Sequence, residues 1–412
     1  MNKFFSLGII PGLLCALLLV NCKKNDEPTE DPVTTPAGVP SVVGTLTTNA
    51  FTSVTTTSAT SGGTLISNGG ASIKDRGLCY SLTPNPTTAS QKVTAESVNG
   101  AGVFIASLSG LLPSTRYYVR AYVINNAGTG YGNEIELNTA DIVSATFSFK
   151  PMFIIGSSLA TTDVEVLSDG GSGITERGVC YGLTTNPTIV DHKVKHNSTG
   201  TGRFRSPLTE LAERTTYHVR GYAINAKGVS YSSDVSFKTI GKGNITYTFN
   251  KAVTPTADEL AAYERLQVAL DSAVWYLNNY TSATKHVYLN YDVGVPTADA
   301  NSEGWMRFGS STGVQNIRTM LHEMNHTLGT GTTTWWTGKI IGGVYQGENA
   351  SAMVKNTQNS TTAVLNGDTQ HWWPGGLNQN SEVSSSWDYV YNCLIIEAMR
   401  KDGLPASGTY TP

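Results

Sequence analysis

Residues 322–326 read His-Glu-Met-Asn-His. On a helix, side chains four apart lie one turn above each other on the same face. His322 and His326 can therefore aim two imidazole nitrogens at one ion, an arrangement that suits Zn2+, which binds histidine at about 2.0–2.1 Å. Glu323 follows the first histidine directly and is rotated about 100° from it, so it does not ligate easily but can reach a water on the metal. Zinc brings the pKa of such a water to near 7, and a carboxylate can take its proton as the oxygen attacks a carbonyl. The chemistry to expect is hydrolysis with Glu323 as general base, the arrangement of zinc peptidases. The plainer reading is a helix carrying two polar-face histidines. Against it stand the amphipathic helix around the motif, the small number of histidines in the region and the export signal at the start of the chain.

The elements that must position these residues begin after residue 245. Thr256-Ala257-Asp258-Glu259 is a capping box. It opens a helix with apolar residues at Leu260, Tyr263, Leu266, Leu270, Val274 and Leu277, a 3–4 spacing. His286 to Val293 alternates like a strand, and Gly304 to Phe308 is a second, shorter one. Val314 to Leu328 predicts the helix that carries the motif, stopped by Gly329. Ser386 to Arg400 predicts a final helix, stopped by Gly403. Residues 245–412 thus form an α+β domain.

The motif continues as His322-Glu323-Met324-Asn325-His326-Thr327-Leu328-Gly329, which resembles the metzincin pattern. In that family a glycine after the helix turns the chain toward a third ligand three residues on. Here that position is Thr332, and threonine is not a usual zinc ligand. The wider domain resembles secreted zincin-like proteins, so the resemblance implies the zincin superfamily and no particular metzincin family. Asn325 packs beside the ligands, with helix surface as its plain reading. A zincin needs one more ligand from His, Asp or Glu beyond the helix. His371 is the first choice, in a Gly- and Pro-containing loop over 366–376 that can fold back under the helix, with Asp368 placed to orient its imidazole. Glu382, just before the last helix, is the chief competitor and would resemble the glutamate-ligand branch of zincins. Asp368 itself and His286 are further alternatives. His286 precedes the motif, against the usual order.

All seven tryptophans lie beyond residue 270. Trp335-Trp336 and Trp372-Trp373 either wall a substrate cleft or pack in the core. Adjacent strand residues face opposite ways, so one of each pair is expected inside.

Upstream the chain repeats with a period of about a hundred residues. Arg76-Gly77-Leu78-Cys79-Tyr80 matches Arg177-Gly178-Val179-Cys180-Tyr181, and Tyr117-Tyr118-Val119-Arg120-Ala121-Tyr122 matches Tyr217-His218-Val219-Arg220-Gly221-Tyr222. Short β-rich runs between Gly/Asn/Pro turns read as β-sandwiches. Leu112 to Tyr117 and the strand after it resemble the fibronectin type III pattern, including the corner tyrosine, here Tyr117 and Tyr217. Such modules usually act as spacers. His192, His196 and His218 read as ordinary strand or surface histidines. Cys79 and Cys180, at equivalent positions, read as matched buried sites and not as a disulfide, and Cys393 falls in a helix.

The first residues carry a positive start at Lys3 and an apolar run from Leu13 to Val20, too short for a membrane span. Leu19-Val20-Asn21-Cys22 resembles the lipobox of bacterial lipoproteins, which implies lipidation of Cys22, although Asn21 departs from the usual small residue. Residues 23–38, rich in Pro, Thr, Asp and Glu, cannot bury enough apolar surface to fold. A formal charge of −3 and the lack of a basic stripe exclude nucleic acid as a partner.

The expected organisation is multidomain: signal peptide 1–22, tether 23–38, fibronectin III-like sandwiches 39–140 and 141–240, and a zincin-like domain 245–412. The expected function is a monomeric zinc endopeptidase, lipid-anchored at the bacterial outer membrane or cell surface, acting on protein or glycoprotein. The rival is a glycan- or protein-binding surface lipoprotein in which zinc is structural or absent.

Overall fold

The computed structural model describes residues 40–97 and 101–411. The signal peptide, the tether and Cys22 lie outside the described residues. No helix among the described residues is long and apolar enough to cross a membrane.

The first repeat folds as two facing antiparallel sheets. One joins Thr45–Thr48, Ser53–Val54 and Gly102–Ser109 to the central strand Ser58–Ser67. The other joins Gln91–Thr94, Asp75–Ser81, Arg116–Asn125, Gly128–Tyr131 and Ile135–Asn138. Strict in–out alternation along Gly102–Ser109 sends Phe104, Ala106 and Leu108 inward, against Leu78, Val119 and Leu137 from the opposite sheet. The second repeat reproduces the second sheet strand for strand. Both corner tyrosines bond back to the chain: Leu112 N–H donates to Tyr117 Oη at 2.9 Å, and Ala212 N–H to Tyr217 Oη at 3.0 Å. These features give both repeats a sandwich of the fibronectin type III kind. Cys79 and Cys180 are buried at equivalent strand positions, and burial raises both thiol pKa values to about 11, so they pack as small apolar groups. The fully buried Cys393 also carries a free thiol.

The repeats differ in the first sheet, which the second repeat splits into two three-stranded pieces. In the first repeat, Ser58–Ser67 runs unbroken through Gly62. There a Cβ would lie 1.8 Å from the carbonyl oxygen of Phe104, so only glycine fits that ladder. The second repeat has Asp163 at the equivalent position, and the strand is split into Ala160–Thr161 and Val164–Ser168.

The C-terminal domain is built on a four-stranded sheet. Asn244–Asn250 and Thr284–Tyr291 pair in parallel, as do Thr284–Tyr291 and Trp305–Phe308, while the edge strand Ala298–Ala300 runs antiparallel. Helix α1 (Ala257–Tyr280) is the crossover between the first two strands. Thr256 and Glu259 close its capping box. Its buried stripe is Tyr263, Leu266, Ala269, Leu270, Ala273 and Leu277. Leu260 was expected on that stripe but is half exposed, because in the first turn it faces away from the sheet. Helices α2 (Ile317–Thr327) and α5 (Trp387–Lys401) pack on α1 over the same sheet face, which contributes Val287, Leu289, Met306 and Phe308 to the shared core. The sequence pattern placed the start of α2 at Val314. It begins three residues later because residues 311–316 form turns ending in the N-cap Asn316, whose Oδ1 accepts from Thr319 N–H. The short helices α3 (Thr334–Lys339) and α4 (Glu348–Thr357) follow. The two-residue strands over 340–373 form a small sheet beside the site.

The second sandwich docks directly on this domain. Ile154 is 2% exposed and belongs to the C-terminal core, with Phe153 and Leu159 packed at its margin. Ser157 N–H donates to Asn279 O, at the end of α1.

Candidate metal centre

Helix α2 is amphipathic: Met320, Leu321 and Met324 face the core, which leaves His322 and His326 toward a small cavity. His322 Nδ1 lies 2.8 Å from Gly376 O, and His326 Nδ1 lies 2.8 Å from Thr330 O. A carbonyl only accepts, so both Nδ1 atoms carry the proton, and both Nε2 atoms present lone pairs. Those two Nε2 atoms are 3.2 Å apart. Two lone pairs at that range repel unless a cation lies between them, and tetrahedral zinc separates two histidine nitrogens by about 3.3 Å. Burial, then each other's charge, pushes the His322 pKa down to about 3, and burial lowers that of His326. Both imidazoles are thereby held neutral, as a metal requires.

The structure brings His371 to the same place. One ligand atom from each of His322, His326 and His371 lies within 4.8 Å of the others. The His371 ring stacks on His322 with centroids 5.4 Å apart. Its loop is held by Asp368, whose Oδ1 accepts from the backbone N–H of Gln370 and His371 and sits 3.7 Å from His371 Nδ1. Gly331, with φ +69°, makes this approach possible: a Cβ there would lie 2.0 Å from Gln370 O. The donor set, the two fixed tautomers and the spacing of the His322–His326 pair fit a zinc ion, with His371 beside them.

The alternatives for the third position fall elsewhere. Glu382 caps a short turn by accepting from Gln379 N–H and is not in the group. Asp368 approaches only through His371. His286 lies on the outer sheet face, bonded to the hydroxyls of Thr246 and Thr248. Thr332 Oγ1 donates to His326 O and lines the cavity without joining the group. Of the sandwich histidines, His218 pairs with Asp234 and His196 with Ser198.

Glu323 is 4% exposed, and its Oε2 has no hydrogen-bond partner among the described residues. Burial foremost, then the charge of Asp299, raises its pKa to about 8, with Arg318 working the other way. A buried, unpaired carboxyl with such a shift marks a functional site more often than a structural one. It opens on a cavity of about 160 Å³ shared with the three histidines and bounded by the edge strand Ala298–Ala300. Larger clefts of about 580 and 500 Å³ lie elsewhere, and neither contains a residue of the histidine group.

Asn325 packs beside the ligands and is not helix surface, its plain alternative. It is 1% exposed, and its Nδ2 donates to Asn392 Oδ1 on α5. Asn392 donates in turn to Gly375 O, next to the carbonyl that holds His322. This bracing between helix and loop had no sequence signal, since the partner of Asn325 lies 67 residues away. The carbonyls of Gly376 and Thr330 were equally invisible, because any residue supplies a carbonyl. Of the tryptophans, Trp336 and Trp372 are buried, while Trp373 is 42% exposed and Trp335 packs at the core margin. One member of each pair is thus inside, although Trp335-Trp336 lie on α3 and not on a strand.

No family model and no curated protein matches the chain. Among solved structures, it is similar to the FN1–FN3 domains of chicken CNTN1, with 15% identity, a TM-score of 0.21, and coverage of 48% of this chain and 69% of that one. Strand pairing and the two tyrosine corners define both sandwiches.

Proposed function

We propose that the C-terminal domain is a zinc-dependent endopeptidase of the zincin type, carried on a lipid-anchored bacterial surface protein. The observation that carries this reading is the grouping of one nitrogen from each of three histidines within 4.8 Å beside a buried, unpaired Glu323 carboxyl. His322, His326 and His371 would hold the ion, and Zn2+ bound there would polarise a peptide carbonyl and acidify a water. Glu323 Oε2 would take the proton of the attacking water and return it to the departing amine. Backbone bonds from Gly376 and Thr330 fix the imidazoles of His322 and His326 in the orientation that metal binding needs. The edge strand Ala298–Ala300 leaves one side unpaired beside the cavity, where an extended substrate can add a strand.

The substrate is protein or glycoprotein, and the active form is a monomer. Cys22 would carry the lipid, with the two sandwiches holding the catalytic domain away from the membrane. The reading is tested by measuring the zinc content of purified protein and its cleavage of a casein-type substrate, with and without chelator. About one zinc per chain and chelator-sensitive cleavage are expected. Bound zinc without cleavage would favour the rival reading, a binding lipoprotein with a structural ion.

A further inference from the structure

A cleft of about 580 Å³ lies between the second sandwich and the C-terminal domain, away from the histidine group. Its sandwich wall carries Lys150, Arg203 and Arg205, and its other wall carries Lys355 from α4. Asp163 lies between Arg203 and Arg205. It pairs with Arg203 through both carboxylate oxygens, and Arg205 Nε stands 3.5 Å from Oδ2. No carboxylate lines the C-terminal wall. Four cations thus line the cleft with one acid, Asp163, and Glu165 stands across the strand pair from Arg203; neither acid comes from the C-terminal wall, so the charge is not explained as a lock between the two domains.

The internal repeat serves as a control for this feature. By strand register, Asp163, Arg203 and Arg205 correspond to Gly62, Val103 and Ile105 in the first sandwich. Lys150 corresponds to Asn49, since Lys150 N–H bonds Asp163 O as Asn49 N–H bonds Gly62 O. In the first sandwich the position over the ladder is glycine and its neighbours are exposed aliphatics. In the second, an aspartate breaks the ladder and holds two guanidinium groups toward the cleft. That change appears only in the sandwich that faces the C-terminal domain.

Two further features narrow the ligand. Phe153 and Tyr391, with ring centroids 6.5 Å apart, line the cleft and offer aromatic surface to an apolar face. Asn356, Ser360 and Thr361 line it with amide and hydroxyl groups. Guanidinium groups for an anion, aromatic rings for a C–H face and amide or hydroxyl partners for ring hydroxyls together match an acidic sugar. We propose that this cleft binds a saccharide bearing a carboxylate or sulfate, which Arg203 and Arg205 receive. The site is independent of the proposed peptidase reaction and does not need the metal.

The test is calorimetric titration of the full chain with lactose, sialyllactose and sulfated lactose. Binding of either acidic sugar, weakened by salt and absent for lactose, is expected, and which of the two binds identifies the anion. Arg205→Ile installs the residue of the first sandwich at an exposed site, and Lys355→Ala removes the opposite cation. Each should weaken binding roughly tenfold, as loss of a charge-assisted hydrogen bond does, with an unchanged melting temperature. The proposal is overturned if neither acidic sugar binds, if lactose binds equally well, if a poly-glutamate peptide binds where the sugars do not, or if Arg205→Ile leaves affinity unchanged.

Discussion

His371 shows what a single residue contributes once its surroundings are known. Its sequence neighbourhood marks a loop able to fold back and makes it the first choice, with Glu382 as the chief competitor. The structure separates them: His371 stacks on His322, while Glu382 is committed to a local cap. His371→Ala should therefore weaken zinc, measured by chelator competition, by well over the 10–100-fold typical of losing a neighbour that only orients a ligand. Glu382→Ala should leave zinc affinity near wild type, and the reverse result would move the third ligand to Glu382. Gly331→Ala should also weaken zinc, because its Cβ would push Gln370 and the attached His371 out of place. The pair His322 and His326 was legible because helical spacing alone aligns them. The carbonyls that fix their tautomers were not, because backbone acceptors leave no trace in residue type.

At the scale of elements, periodicity served best where one face is fully buried. Helix α1 was legible from its capping box and its 3–4 stripe. Thr256→Ala should lower stability by about 1 kcal/mol, the usual cost of a lost N-cap, whereas Leu266→Ala should cost about 2–5 kcal/mol, because Leu266 is wholly buried under the sheet. Chemical denaturation compares the two, and equal losses would contradict the assigned packing. The strand Asn244–Asn250 was missed. Its Ile245, Tyr247 and Phe249 alternate with polar residues, but the strand straddles the domain boundary drawn at residue 245, which hid it. The strand Ala298–Ala300 was missed for a different reason: three residues of Ala-Asp-Ala carry no β preference, and pairing with Trp305–Phe308 alone makes them a strand. That strand borders the candidate site, so the substrate-facing edge was the least legible part of the domain.

At the scale of the molecule, the sequence marked a boundary near residue 240 but no contact across it. Ile154, from the second sandwich, is nonetheless part of the C-terminal core. Ile154→Ala should loosen this docking and expose the connection over 239–243 to limited proteolysis, and an unchanged cleavage pattern would contradict a rigid junction. The same junction gives a pH dependence. Burial acts to raise the Asp163 pKa, but its bond to Arg203 and the nearby Arg205 outweigh burial and hold it below the ordinary carboxylate value. A lowered folded pKa stabilises above the unfolded value of about 3.9, and that contribution is lost as pH falls through the folded value. Wild type should therefore lose more stability than Asp163→Asn between pH 5 and lower values, as read by denaturation midpoints; parallel curves would show that the pair contributes nothing. At the other end of the chain, Cys22→Ser should shift the protein from the membrane fraction to the soluble one, since the lipid would be its one membrane anchor.

The peptidase account meets its most direct test in Glu323→Gln, loaded with zinc and assayed on a protein substrate beside wild type. Glutamine keeps the shape of a buried side chain that touches no ligand nitrogen but cannot accept a proton. The account predicts about one zinc per chain, as in wild type, and cleavage reduced by about 10²–10⁴-fold. Cleavage at the wild-type rate, with zinc bound, would contradict it.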